Sequence, residues 1–224
     1  MLANALTQHS DVASFGWSND AELDAARLLA GEPTPKFLPN AEKRYCFQTT
    51  YLNEQVGEYL EHANSIYLIW LIRNPHSVVY SMVHNWKRFA LNEVFLACGV
   101  DLLDPPNAKR LKRYGILGVP AIYRAAYAYL GKLEQAKMLL ENMPSDRLAL
   151  CRYEEVVTRK PEMLRKLFEF CDLTVSSDDA GREISGRSLQ KANALNARSK
   201  QLVDSLCQRA YEEFIANSSL LTAD

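Results

Sequence analysis

Hydrophobic and polar positions along the chain follow two periods, one typical of strands and one typical of helices. Residues 66–72 form a run of seven apolar side chains, IYLIWLI, which predicts a central parallel strand buried on both faces. Residues 147–157, RLALCRYEEVV, predict a second strand of this kind. The shorter stretches VASFG and YCFQTTY predict two further strands, since they are rich in β-branched and aromatic residues.

Between these strands, apolar side chains recur every three or four residues, as they do on the buried face of a helix. Asn74 is a good N-cap and Pro75 a good first residue, so we expect a helix from there to about Arg88. Further helices are expected from Pro120 to about Met143 and from Pro161 onward. The remaining segments are a proline-punctuated basic connection at 99–119, an exposed loop at 174–188 and a C-terminal helical segment at 189–224.

Strands that alternate with helices predict an α/β fold, in which a parallel sheet is covered by helices on both faces. The length of 224 residues fits a single domain over residues 1–224. In such sheets, ligands bind beyond the carboxyl ends of the strands. This rule places Arg73, which follows the run 66–72, on the ligand side of the sheet.

Composition excludes several classes of function. The 26 basic side chains nearly balance the 27 acidic ones, so we expect neither a nucleic acid nor a membrane surface as a partner. The longest apolar run has seven residues, far fewer than the ~20 that cross a bilayer. The five cysteines are scattered, with no pair spaced as CxxC, which favours reduced thiols, no metal site and a cytoplasmic location.

Arg73 is the first candidate for a residue that binds an anion. A helix N-terminus favours a phosphate or sulfate, and an arginine at the preceding strand end adds a bidentate grip. Ser77 and Ser81 are four residues apart on the predicted helix and so share one face, where both hydroxyls could donate to the same anion. Spacing alone leaves an ordinary alternative equally open, in which Arg73 pairs with Glu154 and Ser81 packs against a neighbouring element.

The segment LIRNPHSVVYSM resembles the 3′-phosphate-binding segment of sulfotransferases that use 3′-phosphoadenosine 5′-phosphosulfate, with Arg73, Pro75 and Ser81 at the matching positions. Residues 148–173 resemble the Tyr-Glu-Asp-Leu strand of that family, where Tyr153 matches a tyrosine that lies near the adenine. Residues 1–16 resemble its first helix and second strand, so the resemblance covers about residues 1–175. It implies a P-loop-NTPase-like three-layer fold, this nucleotide as co-substrate, and transfer of a sulfonate to an unidentified hydroxyl or amine acceptor.

The sequence departs from the family pattern at the 5′-phosphosulfate loop. That Gly/Ser/Thr-rich turn should lie just before Leu2, yet the first glycine is Gly16 and no GxxxxGK[ST] motif occurs in the chain. We therefore expect the first strand and the phosphate loop to be missing and the printed sequence to be N-terminally truncated. The alternative is a non-catalytic nucleotide-binding or interaction protein, and either form could assemble as a homo-oligomer.

The general base is not identified. Where one branch of the family has a histidine, this chain has Gln48, Thr49 and Thr50, none of which is a base near neutral pH. Glu22 and His84 are candidates, but a helix-capping role for Glu22 and an ordinary packed or solvated role for His84 fit better. A late basic segment closes over the nucleotide in some family members, and Arg182 and Arg187 could play that part. The cluster KRLKRYG at 109–115 could guide an anionic donor or acceptor, although a solvated basic loop is the usual explanation for such a run.

Overall fold

The computed structural model of the chain describes residue 6 and residues 12–15, 44–48, 56–174 and 186–223, except for the side chains of residues 13–15, 56, 58, 187 and 188. Apart from Leu6, which is helical and buried, the predicted helix at the N-terminus lies outside these residues. Glu22, Thr49, Thr50 and Arg182 also lie outside them.

The elements follow one another along the chain in this order: β1 Val12–Phe15, β2 Arg44–Phe47, α1 Val56–Glu61, β3 Leu68–Ile72, α2 Pro75–His84, α3 Arg88–Val94, a π-helical turn Phe95–Gly99, a 3-10 helix Val100–Leu102, α4 Pro105–Tyr114, a 3-10 helix Gly115–Gly118, α5 Ala121–Asn142, β4 Leu148–Arg152, α6 Tyr153–Thr158, α7 Lys160–Phe170, a 3-10 helix Gly186–Ala194, α8 Ala197–Val203, a π-helical turn Asp204–Gln208 and α9 Arg209–Asn217. The protein is therefore a mixed α/β protein with little sheet and many helices.

Two compact units are formed by contacts within the chain. The strand unit comprises Met1–Leu71, Asn142–Ser185 and Leu220–Asp224, and the helical unit comprises Ile72–Glu141 and Gly186–Ser219. A single domain over residues 1–224 stays a prediction.

The strands form two pairs among the residues described. β1 runs parallel to β2, with Val12 opposite Arg44. β3 pairs with β4, and the amide of Leu68 donates to the carbonyl of Arg147 at 2.8 Å, so both strands begin side by side and run in the same direction. The four predicted strands are thus confirmed, although β4 ends at Arg152, where the acidic first turn of α6 favours a helix instead.

The prediction that β3 is buried on both faces is wrong. Residues 68–70 are only half-buried and Leu71 is 38% exposed, whereas Leu148–Cys151 in β4 are all buried. Within the described part of the chain, β3 pairs with β4 alone. An unbroken apolar run does not show how deeply a strand is buried, so the central position of β3 stays a prediction.

The predicted connection at 99–119 is also wrong, because most of it is helical. Asp104 caps α4 by accepting a hydrogen bond from the amide of Asn107 at 2.8 Å, and Pro105 is the first helical residue. The helix ends at Gly115, whose φ of 65° lies in the left-handed region that favours glycine. The cluster KRLKRYG therefore lies on a helix rather than in a loop.

The helical unit is built around α5, which is close to its predicted bounds. Its central residues are buried, among them Ala125, Ala126, Ala128 and Leu133. Small side chains allow close packing, and at Gly99 and Gly131 the backbones of α5 and the turn Phe95–Gly99 come into contact. This packing fixes α5 against the turn Phe95–Gly99.

Candidate functional site

The backbone at Arg73, the residue that follows β3, is held in place by a hydrogen bond from α5. The hydroxyl of Tyr129 donates to the backbone carbonyl of Arg73 at 3.0 Å. Immediately after it, Asn74 caps α2 by accepting from the amide of His76 at 2.9 Å, and Pro75 opens the helix as predicted. The backbone of Arg73 is therefore fixed, and its side chain branches from the residue directly before a capped helix N-terminus.

Ser81 lies two turns further along α2, where a basic side chain from a distant part of the chain approaches it. The Nζ of Lys191 lies 3.4 Å from the Oγ of Ser81. Lys191 belongs to the 3-10 helix Gly186–Ala194, which packs against α2. The helix that carries the predicted phosphate ligands thus has a third polar group beside it.

Lys191 and Arg73 lie close enough to repel one another. The pKa of Lys191 is lowered from its usual 10.5, first by burial and then by the positive charge of Arg73. Two neighbouring cations, one of them beside a hydroxyl, form an arrangement that an anion would stabilise, since it would relieve the repulsion between the two positive charges.

A second contact joins α2 to the C-terminal helices. The Nε2 of His76 lies 2.9 Å from a carboxylate oxygen of Asp204, while its Nδ1 lies 3.3 Å from the side-chain oxygen of Asn74. Both ring nitrogens are thus in contact with other side chains, so His76 links α2 to the turn Asp204–Gln208. The link keeps residues 186–208 against α2.

Other predicted residues have different environments. Ser77 is buried, whereas Ser81 is half-buried and has the Nδ2 of Asn85 and the Nζ of Lys191 each 3.4 Å from its Oγ. His84 is exposed and packs against Tyr80, with ring centroids 4.5 Å apart. α2 ends at His84 and not near Arg88, because the amides of both Asn85 and Trp86 donate to the carbonyl of Ser81 and the next residue, Lys87, is extended.

Tyr153 and Glu154 belong to the strand unit, where Tyr153 begins α6 directly after β4. Arg187 lies in the 3-10 helix that carries Lys191. Sequence reasoning pointed to this late basic segment but chose its arginines and missed Lys191. The only sign in the sequence that Lys191 could bind an anion is its positive charge within a segment of mostly small and polar residues. Nothing in the local pattern relates Lys191 to Ser81.

No group of three or more His, Cys, Asp or Glu side chains in the described part of the chain could hold a metal ion. Among the helices described, none has the length and apolarity needed to cross a bilayer. All five cysteines are free thiols.

A family model described as the sulfotransferase domain matches residues 32–218 of the chain. The match begins after residues 1–16, so their resemblance to the family stays a prediction, and it extends beyond residue 175 to include Lys191. The chain matches no curated protein and no solved structure. Because the family match covers most of the 224 residues, the chain belongs to the sulfotransferase domain family.

Proposed function

We propose that the protein is a sulfotransferase that binds 3′-phosphoadenosine 5′-phosphosulfate, and that Arg73, Ser81 and Lys191 hold the 3′-phosphate of this co-substrate. The observation that carries the proposal is the 3.4 Å approach of Lys191 to Ser81 beside Arg73. A phosphate monoester carries close to two negative charges at neutral pH, so two cations and a hydroxyl donor match it in charge and in hydrogen bonding.

The family resemblance supplies the rest of the proposal. The acceptor oxygen or nitrogen attacks the sulfur in line with the leaving group, and the bond between sulfur and the bridging phosphate oxygen breaks. The products are the sulfonated acceptor and 3′-phosphoadenosine 5′-phosphate, while the acceptor's proton passes to a base that is not assigned to any residue of this chain. The described residues contribute by fixing the nucleotide at its 3′ end, away from the bond that breaks.

Isothermal titration calorimetry with two nucleotides tests the proposal. We expect 3′-phosphoadenosine 5′-phosphate to bind more tightly than adenosine 5′-monophosphate, which lacks the 3′-phosphate. A charge-assisted contact contributes about 1.5–3 kcal/mol, so Arg73→Ala should weaken the first ligand by roughly 10- to 150-fold and leave the second nearly unchanged. Lys191→Met should act in the same direction.

Lys137→Met is the matched control. Lys137 is an exposed lysine that pairs with Glu134 on α5, so its loss changes net charge equally without touching the proposed site. Wild-type affinity for 3′-phosphoadenosine 5′-phosphate in both Arg73→Ala and Lys191→Met would overturn the assignment of the 3′-phosphate site.

A second candidate function is nucleotide binding without transfer, and the observation that favours it is the lack of any GxxxxGK[ST]-type motif in the printed sequence. Incubation with sulfur-35-labelled co-substrate and a panel of phenols, alcohols and amines separates the two candidates. Labelled product that requires Arg73 supports transfer. Tight nucleotide binding with no product from any acceptor class supports the non-catalytic function.

A further inference from the structure

Arg124, in the first turns of α5, is a buried charge, and no carboxylate of the described residues pairs with it. The residue is 4% exposed, and its Nε is buried with no hydrogen-bond partner among the residues described. Its Nη1 donates to the side-chain oxygen of Asn92 on α3. No ion pair of Arg124 is found within the described part of the chain, although an isolated buried guanidinium is costly unless an anion compensates it.

The surroundings of Arg124 add positive charge. Burial lowers the pKa of Arg124 below the usual value of 12.5, and the positive charge of Arg88 lowers it further. The first turn of α5 carries no acidic residue, so no carboxylate of that turn offsets the positive end of the helix dipole. A negatively charged ligand is favoured by the repulsion between the two arginines, by the positive end of the helix dipole and by the buried Nε of Arg124.

The three side chains differ in exposure. Arg88 is exposed and Asn92 half-buried, whereas Arg124 is almost fully buried. Arg124 and Tyr129 are five residues apart on α5, which corresponds to ~7.5 Å along the helix axis. Because Tyr129 holds the backbone of Arg73, one helix carries Arg124 and also supports the candidate nucleotide site.

We propose that Arg124, Arg88 and Asn92 form a second anion site, which takes the carboxylate, sulfate or phosphate group of an anionic acceptor. The proposal rests on the transferase function for the identity of the ligand as acceptor, but not for the existence of the anion site.

Thermal unfolding with inorganic sulfate as the probe tests the anion site. The background is Arg73→Ala, which disables the proposed 3′-phosphate site, and sodium chloride keeps the ionic strength constant. For a dissociation constant of about 1 mM, 10 mM sulfate should raise the unfolding midpoint by about 3–6 °C. Adding Arg124→Met should remove this rise, while the midpoint without sulfate should be equal or higher because an uncompensated charge is gone.

Arg209→Met is the matched control, since Arg209 is exposed on α9 and pairs with Glu213; it should keep the sulfate response. Should Arg124→Met not fold, Arg88→Met serves instead and should weaken sulfate binding at least several-fold. The site would be overturned if sulfate raised the unfolding midpoint equally in all of these proteins, since that would indicate a general salt effect. The proteins compared are the Arg73→Ala background, the Arg124→Met or Arg88→Met variant and the Arg209→Met variant. Absence of any response in the background would also overturn it.

The second arm identifies the source of the anion. Hydroxycarboxylates of three to eight carbons are titrated into the wild-type protein saturated with 3′-phosphoadenosine 5′-phosphate, beside the alcohols that lack the carboxylate. Binding of at least one hydroxycarboxylate that is lost in Arg124→Met supports an acceptor site. Sulfate binding without hydroxycarboxylate binding assigns the site to free anions and overturns the acceptor part. Failure of nucleotide binding with an intact sulfate response refutes the proposed function alone.

Discussion

Gly131 on α5 and Cys98 in the turn Phe95–Gly99 have their backbones in direct contact: a Cβ atom on Gly131 would stand 1.8 Å from the carbonyl oxygen of Cys98. The contact is reciprocal, since a Cβ on Gly99 would stand 2.7 Å from the amide nitrogen of Ala128. α5 also carries Tyr129 and Arg124, so both proposed sites depend on this packing.

The first prediction concerns this contact. Gly131→Ala should lower the free energy of unfolding by about 3 kcal/mol or more, because backbone atoms on both sides must move apart. Gly57→Ala is the control: Gly57 is an exposed residue of α1 with open space around its Cα, and alanine there should raise the free energy of unfolding by roughly 0.5–1 kcal/mol. Urea unfolding of both variants makes the comparison, and equal effects would contradict the packing.

The second prediction is a dependence of nucleotide affinity on pH. Only the protonated form of Lys191 pairs with a phosphate, and its pKa in the free protein is below 10.5. Binding of an anion favours the charged form, so affinity should fall as pH rises through this lowered pKa and should be accompanied by proton uptake. Arg73 stays charged throughout.

Calorimetry with 3′-phosphoadenosine 5′-phosphate from pH 7 to about 10, in buffers of different ionisation enthalpy, measures both quantities. Lys191→Met should show a weaker affinity that no longer falls over this range, whereas Lys137→Met should behave as the wild type. The same alkaline fall in Lys191→Met would assign the titration to another group.

The third prediction concerns thiol reactivity. Burial raises the pKa of Cys151, Cys171 and Cys207 to about 12 each, so almost no thiolate is present at neutral pH. Iodoacetamide should therefore leave these three residues unmodified in the native protein and alkylate them at once in urea. Peptide mass spectrometry measures the labelling, and rapid native alkylation of Cys207, which is fully buried, would contradict the packing of the C-terminal helices.

The fourth prediction tests the position of Tyr153. If this side chain stacks on adenine, as the family resemblance implies, Tyr153→Leu should weaken both 3′-phosphoadenosine 5′-phosphate and adenosine 5′-monophosphate by the same factor. Loss of a stacked aromatic ring costs ~1–3 kcal/mol, or about 5- to 150-fold. Tyr114→Leu, at a tyrosine that is 60% exposed on α4, is the control. Unchanged affinity for both nucleotides in Tyr153→Leu would remove Tyr153 from the site.

Local signals made the start of α2 predictable from the sequence. Asn74 and Pro75 act within one turn of the chain, and the structure confirms the cap and the first residue of the helix. The strand-end position of Arg73 was predictable for the same reason. In the region 99–119, predicted as a proline-punctuated connection, a local signal for a helix was present as well, because Asp104 and Pro105 together start α4.

Features that depend on tertiary contacts were not predictable. The exposure of Leu71 depends on which strands flank β3, and an apolar run carries no information about its neighbours. The approach of Lys191 to Ser81 joins residues 110 positions apart. The isolation of Arg124 is likewise invisible in the sequence, since it depends on which side chains of α3 face α5.

The distance in sequence between Ser81 and Lys191 has a consequence for biosynthesis. During translation, α2 emerges long before the 3-10 helix Gly186–Ala194, so a nascent or prematurely terminated chain has only part of the cationic pair. A ligand that needs both Arg73 and Lys191 cannot bind during the early steps of folding on the ribosome. It can stabilise only those copies whose synthesis has passed residue 191, and its occupancy would distinguish finished chains from unfinished ones.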